Sequence, residues 1–326
     1  MAAAITLATR GRGLSTPNPN VGCVIVNAGR MVARGWTQGG GRPHAEGMAL
    51  DLAGQAARGA TAYVTLEPCA HESARGPSCT DALIAAGVAR VVAATRDPDP
   101  RTNGQGMARL EAAGIAVTHG VLADAARDAM AGWWTRASLG RPHVTLKLAT
   151  SLDGCIAMAD GTSRWITGER SRAHAHLLRA RSDAILVGRG TWEADDPSLD
   201  VRLSGLENRS PQRLMLTHGP SSEGRKASTL PDGWTALSSP GGITELAGIN
   251  DLLIEGGAGA ASAFLAADLV DTLVLYRAPI LLGGGRSALN DIGLAALNVA
   301  HGRWRLADAR VLGQDHVETY QRVRES

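Results

Sequence analysis

Thr61-Ala62-Tyr63-Val64-Thr65-Leu66-Glu67-Pro68-Cys69 decides how this chain folds, because a strand over Thr61 to Leu66 breaks at a proline and delivers a cysteine at its end. Upstream, His44-Ala45-Glu46 opens a helix that runs to Ala57. Downstream, Cys79 stands directly before an apolar helix from Thr80 to Ala86. Helices that begin just after strands or loops follow α/β order, and they gather their N-termini at one edge of the sheet, where such sheets keep their sites.

His44, Cys69 and Cys79 then supply one imidazole and two thiols, the donor set of a zinc ion with three protein ligands and a fourth position left for water. The N-terminal dipole of the Thr80 helix favours a thiolate at Cys79. Glu46 lies two residues beyond His44, which on a helix separates the side chains by about 200°, so Glu46 is cast as a proton shuttle instead of a ligand. The order H-x-E followed by P-C and a second Cys resembles that of the zinc-dependent nucleobase deaminases, in which the Glu moves protons between water and leaving amine. Here the second Cys comes ten positions after the first, where three is commonest. The intervening Ala70 to Ser78 reads as a polar surface loop able to reach over a substrate. A structural zinc site closed by His71, or a free imidazole beside two buried thiols, is the plainer alternative; neither gives Glu46 or Glu67-Pro68 a role.

Length and composition narrow the class. A chain of 326 residues holds about two domains. A formal charge of +2 with dispersed basic residues points to no nucleic-acid or membrane surface. The densest basic group, Arg170, Arg172, Arg179 and Arg181, lies on one predicted helix and by default is a solvated face. Four cysteines in a chain this long make no disulfide framework, and no apolar run approaches the ~18 residues of a membrane span. The expected compartment is the cytoplasm.

The first part alternates helix Ala2 to Thr9, strands Val21 to Val26 and Met31 to Trp36, the two ligand-bearing helices about strand Thr61 to Leu66, strand Arg90 to Thr95, helix Gln105 to Ala113 and strand Ile115 to Thr118. This predicts a largely parallel sheet flanked by helices. A helix from Leu122 to Ser138 ends at Gly140-Arg141-Pro142, which sets the expected boundary between residues 1–140 and 141–326. Beyond it come strand His143 to Ala149, helix Glu169 to Ala180, strands Ala184 to Val187, Arg213 to Thr217 and Asp251 to Ile254, helix Gly259 to Ala267 and strand Thr272 to Tyr276. Leu203 to Pro211 and Gly219 to Gly233 read as loops.

In this second part, Leu252-Leu253-Ile254-Glu255-Gly256-Gly257-Ala258-Gly259 carries a buried strand through glycines into a helix, a turn that bares backbone N–H groups and suits a pyrophosphate. No acid stands about 20 residues on to hold a ribose, so an ordinary dinucleotide fold is not supported. Only Lys147 and Lys226 are lysines. Lys226 falls in a polar loop, whereas Lys147 sits within a strand, where a compact ammonium is either specifically required or merely on the wet face. Arg179 and Arg202 are able to fork onto a phosphate. Asp195-Asp196-Pro197 is by itself a turn.

Together these segments resemble the bifunctional riboflavin-biosynthesis family in which a diaminohydroxyphosphoribosylaminopyrimidine deaminase is fused to a 5-amino-6-(5-phosphoribosylamino)uracil reductase. The motifs that carry the resemblance are Thr16-Pro17-Asn18-Pro19-Asn20-Val21-Gly22, His44-Ala45-Glu46, Thr65 to His71 with Cys79, Lys147 with Ser151-Leu152-Asp153-Gly154, Ser182 to Gly188, Asp195-Asp196-Pro197 and Glu255-Gly256-Gly257. The resemblance implies a cytidine-deaminase-like three-layer α/β/α domain followed by a dihydrofolate-reductase-like α/β domain, with Zn2+ in the first and NADPH in the second. It implies His44, Cys69 and Cys79 as metal ligands and Glu46, Lys147 and Asp195 as catalytic groups. Asn18, His71, Ser163, Arg179, Leu199, Arg202 and Glu255 correspond to substrate positions. Ala149, Trp165, Thr191, Asp195 and the run Gly257, Ala258, Gly259, Ala260, Ala261, Ser262, Ala263 correspond to cofactor positions. A small-molecule phosphoribosyl pyrimidine is the implied partner, with a homo-oligomer, a dimer first, as the expected assembly. Two other readings are weighed against this one: a nucleobase or tRNA deaminase with an accessory domain, and a non-catalytic zinc-stabilised binding protein. Arg75 and His71 lie in the lengthened loop, and Cys155 follows Asp153-Gly154 where the family more usually has a basic residue.

Overall fold

The computed structural model describes residues 1–71, 76–217 and 230–324, so Arg75, Lys226 and most of the loop expected from Gly219 lie outside the described residues. The chain divides into two compact units, Met1–Gly140 and Arg141–Ser326. No helix among the described residues is long and apolar enough to cross a membrane.

In the first unit the order is α1 (Ala2–Ala8), β1 (Gly22–Asn27), β2 (Arg30–Trp36), α2 (Ala45–Ala53), β3 (Thr61–Val64), α3 (Cys79–Ala86), β4 (Arg90–Ala93), α4 (Gln105–Ala112), β5 (Ala116–His119), α5 (Ala123–Ala129) and α6 (Ala131–Leu139). The sheet runs β2-β1-β3-β4-β5. Only β3-β4-β5 is parallel; β1 is antiparallel to both of its neighbours. The expectation of a largely parallel sheet is therefore corrected: the short link between β1 and β2 permits only a hairpin, since a parallel pair needs a long crossover. The alternation of side chains along β1 separates the layers. Cys23 and Ile25 join the core beneath α2 and α3, while Val24 packs with Ala4 and Leu7 of α1 on the other face. The helix expected from Leu122 to Ser138 is two helices, because Met130, fully buried, leaves helical geometry at φ −110°, ψ 23°.

The second unit holds β6 (His143–Thr150), β7 (Cys155–Ala157), α7 (Glu169–Ala180), β8 (Ala184–Gly188), α8 (Arg189–Asp195), β9 (Gln212–Leu216), β10 (Trp234–Leu237), β11 (Asp251–Ile254), α9 (Ala258–Ala266), β12 (Thr272–Arg277), β13 (Arg286–Ser287), β14 (Trp304–Leu312) and β15 (Asp315–Arg322). Its sheet runs β10-β9-β8-β11-β6-β12-β15-β14, parallel as far as β12 and antiparallel for the last two strands. β8 and β11 are buried along nearly their whole length, as strands covered on both faces must be. The register sets Lys147 against Val274 and Ala149 against Tyr276, so Lys147 and Ala149 share one face of the sheet.

Candidate active sites

In the first unit, three local structures bring the ligand atoms together. His44 is the extended residue that caps α2, and α2 lies directly on β2 because position 35 is glycine: a Cβ there would stand 2.2 Å from the Ala45 carbonyl oxygen. Cys69 follows the end of β3, and Cys79 is the first residue of α3, whose cap Ser78 accepts the Asp81 N–H. His44 Nδ1 lies 3.2 Å from the Cys79 sulfur and 3.7 Å from that of Cys69, and all three candidate ligand atoms lie within 4.8 Å of one another. A tetrahedral zinc ion with ordinary Zn–N and Zn–S bonds spans N···S separations of about 3.6 Å, so the donors fit the metal as they stand. All four cysteines are free thiols.

The electrostatics differ between the two sulfurs. A hydrogen bond from the Cys79 side chain draws the Cys69 pKa down to about 4, against the effect of burial and with help from His44 and the Cys79 backbone N–H. The thiol of Cys79 is pushed up by the same sulfur contact, by burial and by Glu46. The amide at the start of α3 points at Cys69, 3.2 Å away, so that helix end assists the Cys69 sulfur as well as presenting Cys79. Glu46, only 3% exposed in the first turn of α2, has its carboxyl raised above the usual range by burial, partly offset by His44.

Around this cluster, Glu67 has a role that its sequence context did not disclose. Its carboxylate accepts backbone N–H groups from Asp97, Gly104, Gly106 and Met107 and so closes the N-terminus of α4 against the Cys69 loop. His71 faces Thr102 Oγ1 at 3.4 Å and is not a fourth member of the ligand group, which leaves the structural zinc reading without its ligand among the described residues. Asn18 packs against Gly41, and its buried Nδ2 has no hydrogen-bond partner.

In the second unit, the C-terminal ends of β6, β8 and β11 meet α7. Glu255, just past β11, is held by Arg179 through two bonds, Nε at 2.7 Å and Nη2 at 3.0 Å, and stands 3.7 Å from Lys147 Nζ. Burial alone would raise its pKa; Lys147 and Arg179 outweigh that and hold it below the usual range. Arg179 Nη1 also donates to the Asp200 carbonyl at 3.0 Å. The reading of Arg179 as an open phosphate fork is thus corrected, since its donors are engaged, whereas Arg202, 64% exposed, touches only the Asp200 carboxylate through Nε. Asp195 is exposed at the end of α8 beside Arg164, and Lys147 pairs with Glu255 instead, so no contact joins the two expected catalytic groups.

At the glycine turn, the Gly257 N–H opens α9 and donates to Thr191 Oγ1 at 2.9 Å. A Cβ on Gly256 would stand 2.8 Å from that of Ala260, so only glycine lets the turn close. Of the run Gly257 to Ala263, Gly257, Ala258 and Gly259 reach the surface. Ala260 and Ala261 are core, and the Ser262 hydroxyl accepts the Asn290 N–H at 2.8 Å. The side chains of Ala260, Ala261 and Ser262 therefore pack inward, and the part of the run that reaches the surface is Gly257 to Gly259. Trp165, 66% exposed, carries the Arg172 guanidinium 4.7 Å over its ring. Leu199 is buried with φ +52°, Ala149 is half-buried beside Tyr276, and Ser163 is half-buried with no contact to the Lys147 cluster.

An imidazole and two thiols spaced for one metal ion, with a buried acid beside them, define a zinc-binding deaminase unit, and the chain continues into a second α/β unit with its own charged cluster. Comparison with known proteins agrees. Residues 1–95 match the cytidine and deoxycytidylate deaminase zinc-binding region, and residues 142–229 and 244–317 match the RibD C-terminal domain. The riboflavin biosynthesis protein RibD of Escherichia coli is 41% identical, with 97% of this chain and 96% of that protein covered. A RibD structure from Acinetobacter baumannii superposes with a TM-score of 0.84 at 38% identity, over 99% and 97% of the two chains. A diaminohydroxyphosphoribosylaminopyrimidine deaminase/5-amino-6-(5-phosphoribosylamino)uracil reductase from Thermotoga maritima gives 0.87 at 32% identity, again over 99% and 97%. This chain belongs to the RibD family of riboflavin biosynthesis proteins. It is a bifunctional enzyme, a zinc-binding deaminase followed by an NADPH-dependent reductase of cytidine-deaminase-like and RibD C-terminal fold.

Proposed function

We propose that residues 1–140 deaminate 2,5-diamino-6-(5-phosphoribosylamino)pyrimidin-4(3H)-one and that residues 141–326 reduce the product, 5-amino-6-(5-phosphoribosylamino)uracil, to its ribityl form. The observation that carries the first half is the approach of His44 Nδ1 to two sulfurs at 3.2 and 3.7 Å with Glu46 buried in the same helix turn. When bound there, zinc supplies a water acidified enough to add to C2 of the ring. Glu46 takes up a proton at its carboxyl and returns it to the departing amine, a role suited to an acid whose pKa burial has raised. Asn18 offers its unpartnered Nδ2 to the pyrimidine, and His71, steadied by Thr102, contacts the same substrate.

In the second half NADPH supplies the hydride, and the protein supplies placement and charge. The Ala258 and Gly259 amides in the first turn of α9 take its phosphates, with Thr191, which holds the Gly257 N–H, and with Ala149, Trp165 and Asp195 along its length. Lys147 holds a proton toward the sugar oxygen, and Glu255, fixed by Arg179, keeps that ammonium in place. Ser163 and Leu199 border the substrate, while Arg202 meets the phosphate. The chain acts in the cytoplasm as a homodimer. Supplying the diaminopyrimidinone phosphate with and without NADPH tests the reading: ammonia release alone should precede a second, NADPH-dependent product, and ammonia release that required NADPH would overturn it.

A further inference from the structure

His176 lies on α7 one turn before Arg179, and nothing in the reaction as described uses it. Its Nδ1 is 3.1 Å from the Asp200 carbonyl oxygen and 3.3 Å from the Arg202 backbone nitrogen. One ring nitrogen cannot serve both: with a proton it donates to the carbonyl, and without one it accepts from the amide. The Asp200 carbonyl already accepts the charged Nη1 of Arg179 at 3.0 Å. The amide of Arg202 has its acceptor in the ring, at the exposed end of the arm. The arrangement that satisfies most groups is a neutral imidazole with its proton on Nε2 and a bare Nδ1 facing Arg202.

The arm from Ser198 to Arg202 is otherwise held from its flanks. Leu199 is 3% exposed with φ +52°, a conformation that a leucine keeps only where its surroundings impose it. Val201 is buried and donates its N–H to Ser210 Oγ at 3.0 Å, and Ser198 Oγ donates to the Asp200 carboxylate at 2.7 Å. Arg202, at the exposed end of the arm, takes its direction from its own backbone and from the Asp200 carboxylate, 3.1 Å from its Nε.

We propose that His176 is a positioning residue for the reduction: as a neutral acceptor it fixes the Arg202 backbone against α7 and so aims the Arg202 guanidinium at the substrate phosphate. The inference rests on the assignment of Leu199 and Arg202 to the substrate made above. The groups that face the ring are Arg179 from its own helix, Asp200 and Arg202 from the arm, and Glu255, itself beside Lys147, from the end of β11. Burial and the two guanidiniums lower the imidazole pKa, partly offset by the Asp200 carbonyl and Glu255, which favours the neutral ring. Protonation would turn Nδ1 into a donor, orphan the Arg202 amide and place a third positive charge beside Arg179 and Arg202.

Steady-state reduction by the full-length, zinc-loaded enzyme, with the uracil intermediate and NADPH, tests this in the wild type, His176→Ala, His176→Asn and Arg202→Ala. Asparagine sets a carbonyl oxygen near the place of Nδ1 and cannot become charged. His176→Ala should raise the KM for the uracil intermediate roughly tenfold, with kcat and ammonia release by the first unit within about twofold of wild type. His176→Asn should restore KM at about pH 8, and the ratio of wild-type to Asn KM should climb several-fold as pH falls through the native pKa of the wild-type ring, which lies below the ordinary imidazole value. An unchanged KM in His176→Ala while Arg202→Ala raises it would overturn the role of His176, as would an Asn variant no better than Ala. An unchanged KM in Arg202→Ala would instead remove the substrate assignment, and the proposal with it. If His176→Ala does not fold, the Asn variant decides alone: a wild-type-to-Asn ratio that stays flat with pH overturns the proposal.

Discussion

The backbone N–H of Cys79 donates to the sulfur of Cys69 at 3.2 Å, so the helix that presents one metal ligand also stabilises the anionic form of the other. The donor set is thereby prepared for a cation, because the lowered Cys69 pKa favours its thiolate form.

Cys79→Ser should abolish stoichiometric zinc and ammonia release together, because a hydroxyl is a poor zinc ligand in place of a thiolate. Reduction of the uracil intermediate should survive, since the second unit has its own core and shares none of the three ligands. Elemental analysis beside both assays checks this; loss of both activities on zinc removal would show that the metal also maintains the second site.

Glu46→Gln should keep zinc and lower deamination by about 10²- to 10⁴-fold, the range expected for losing a positioned proton carrier. The amide keeps the size of the side chain, so the fold is spared. Turnover near wild type, with metal content measured in the same sample, would remove Glu46 from the chemistry.

Glu67→Gln should destabilise the first unit by about 2 kcal/mol without changing the ligand atoms, because an amide oxygen accepts more weakly than a carboxylate and only one oxygen remains to meet four backbone donors. The expected signature is local: faster hydrogen exchange at the amides of Gly104, Gly106 and Met107, with exchange in α2 unchanged.

Glu255→Gln should cost stability at neutral pH, about 3 kcal/mol for breaking a buried pair, and the gap to wild type should close in acid. The sign follows from the lowered carboxyl pKa: the native state prefers Glu255 ionised, so its contribution is complete above the ordinary glutamate pKa and lost as pH falls through the native value. Urea unfolding of both proteins between about pH 7 and pH 3 measures it, and a gap that did not depend on pH would show that shape, not charge, makes the contribution.

The metal site was legible because each ligand stands next to a local signal, His44 and Cys79 at helix starts and Cys69 after a strand that ends in proline. The second site was legible only in its pieces. Arg179 and Glu255 are separated by 76 positions, and nothing local shows that the fork is closed on a carboxylate. Asp315 gave no signal at all, yet its carboxylate accepts the Gly168 N–H at 2.7 Å and the Ser171 hydroxyl at 2.6 Å and so caps α7, the helix that carries His176 and Arg179. The final hairpin, β14 and β15, escaped notice because β14 is largely exposed along both faces and lacks the apolar alternation by which a strand is read. α8 and β10, with few buried residues, were missed for the same reason.

Periodicity and punctuation along the chain were enough to determine the α/β order, the break near Gly140 and the three residues that come together as a candidate metal-ligating group, since these depend on neighbours within a few residues. Which sulfur receives the helix-start amide, which arginine stays open, and where an imidazole meets a distant backbone amide were decided only in three dimensions. Each of those depends on burial and on a charged or polar partner brought from far along the chain, and electrostatic energies follow distance in space, not separation in sequence.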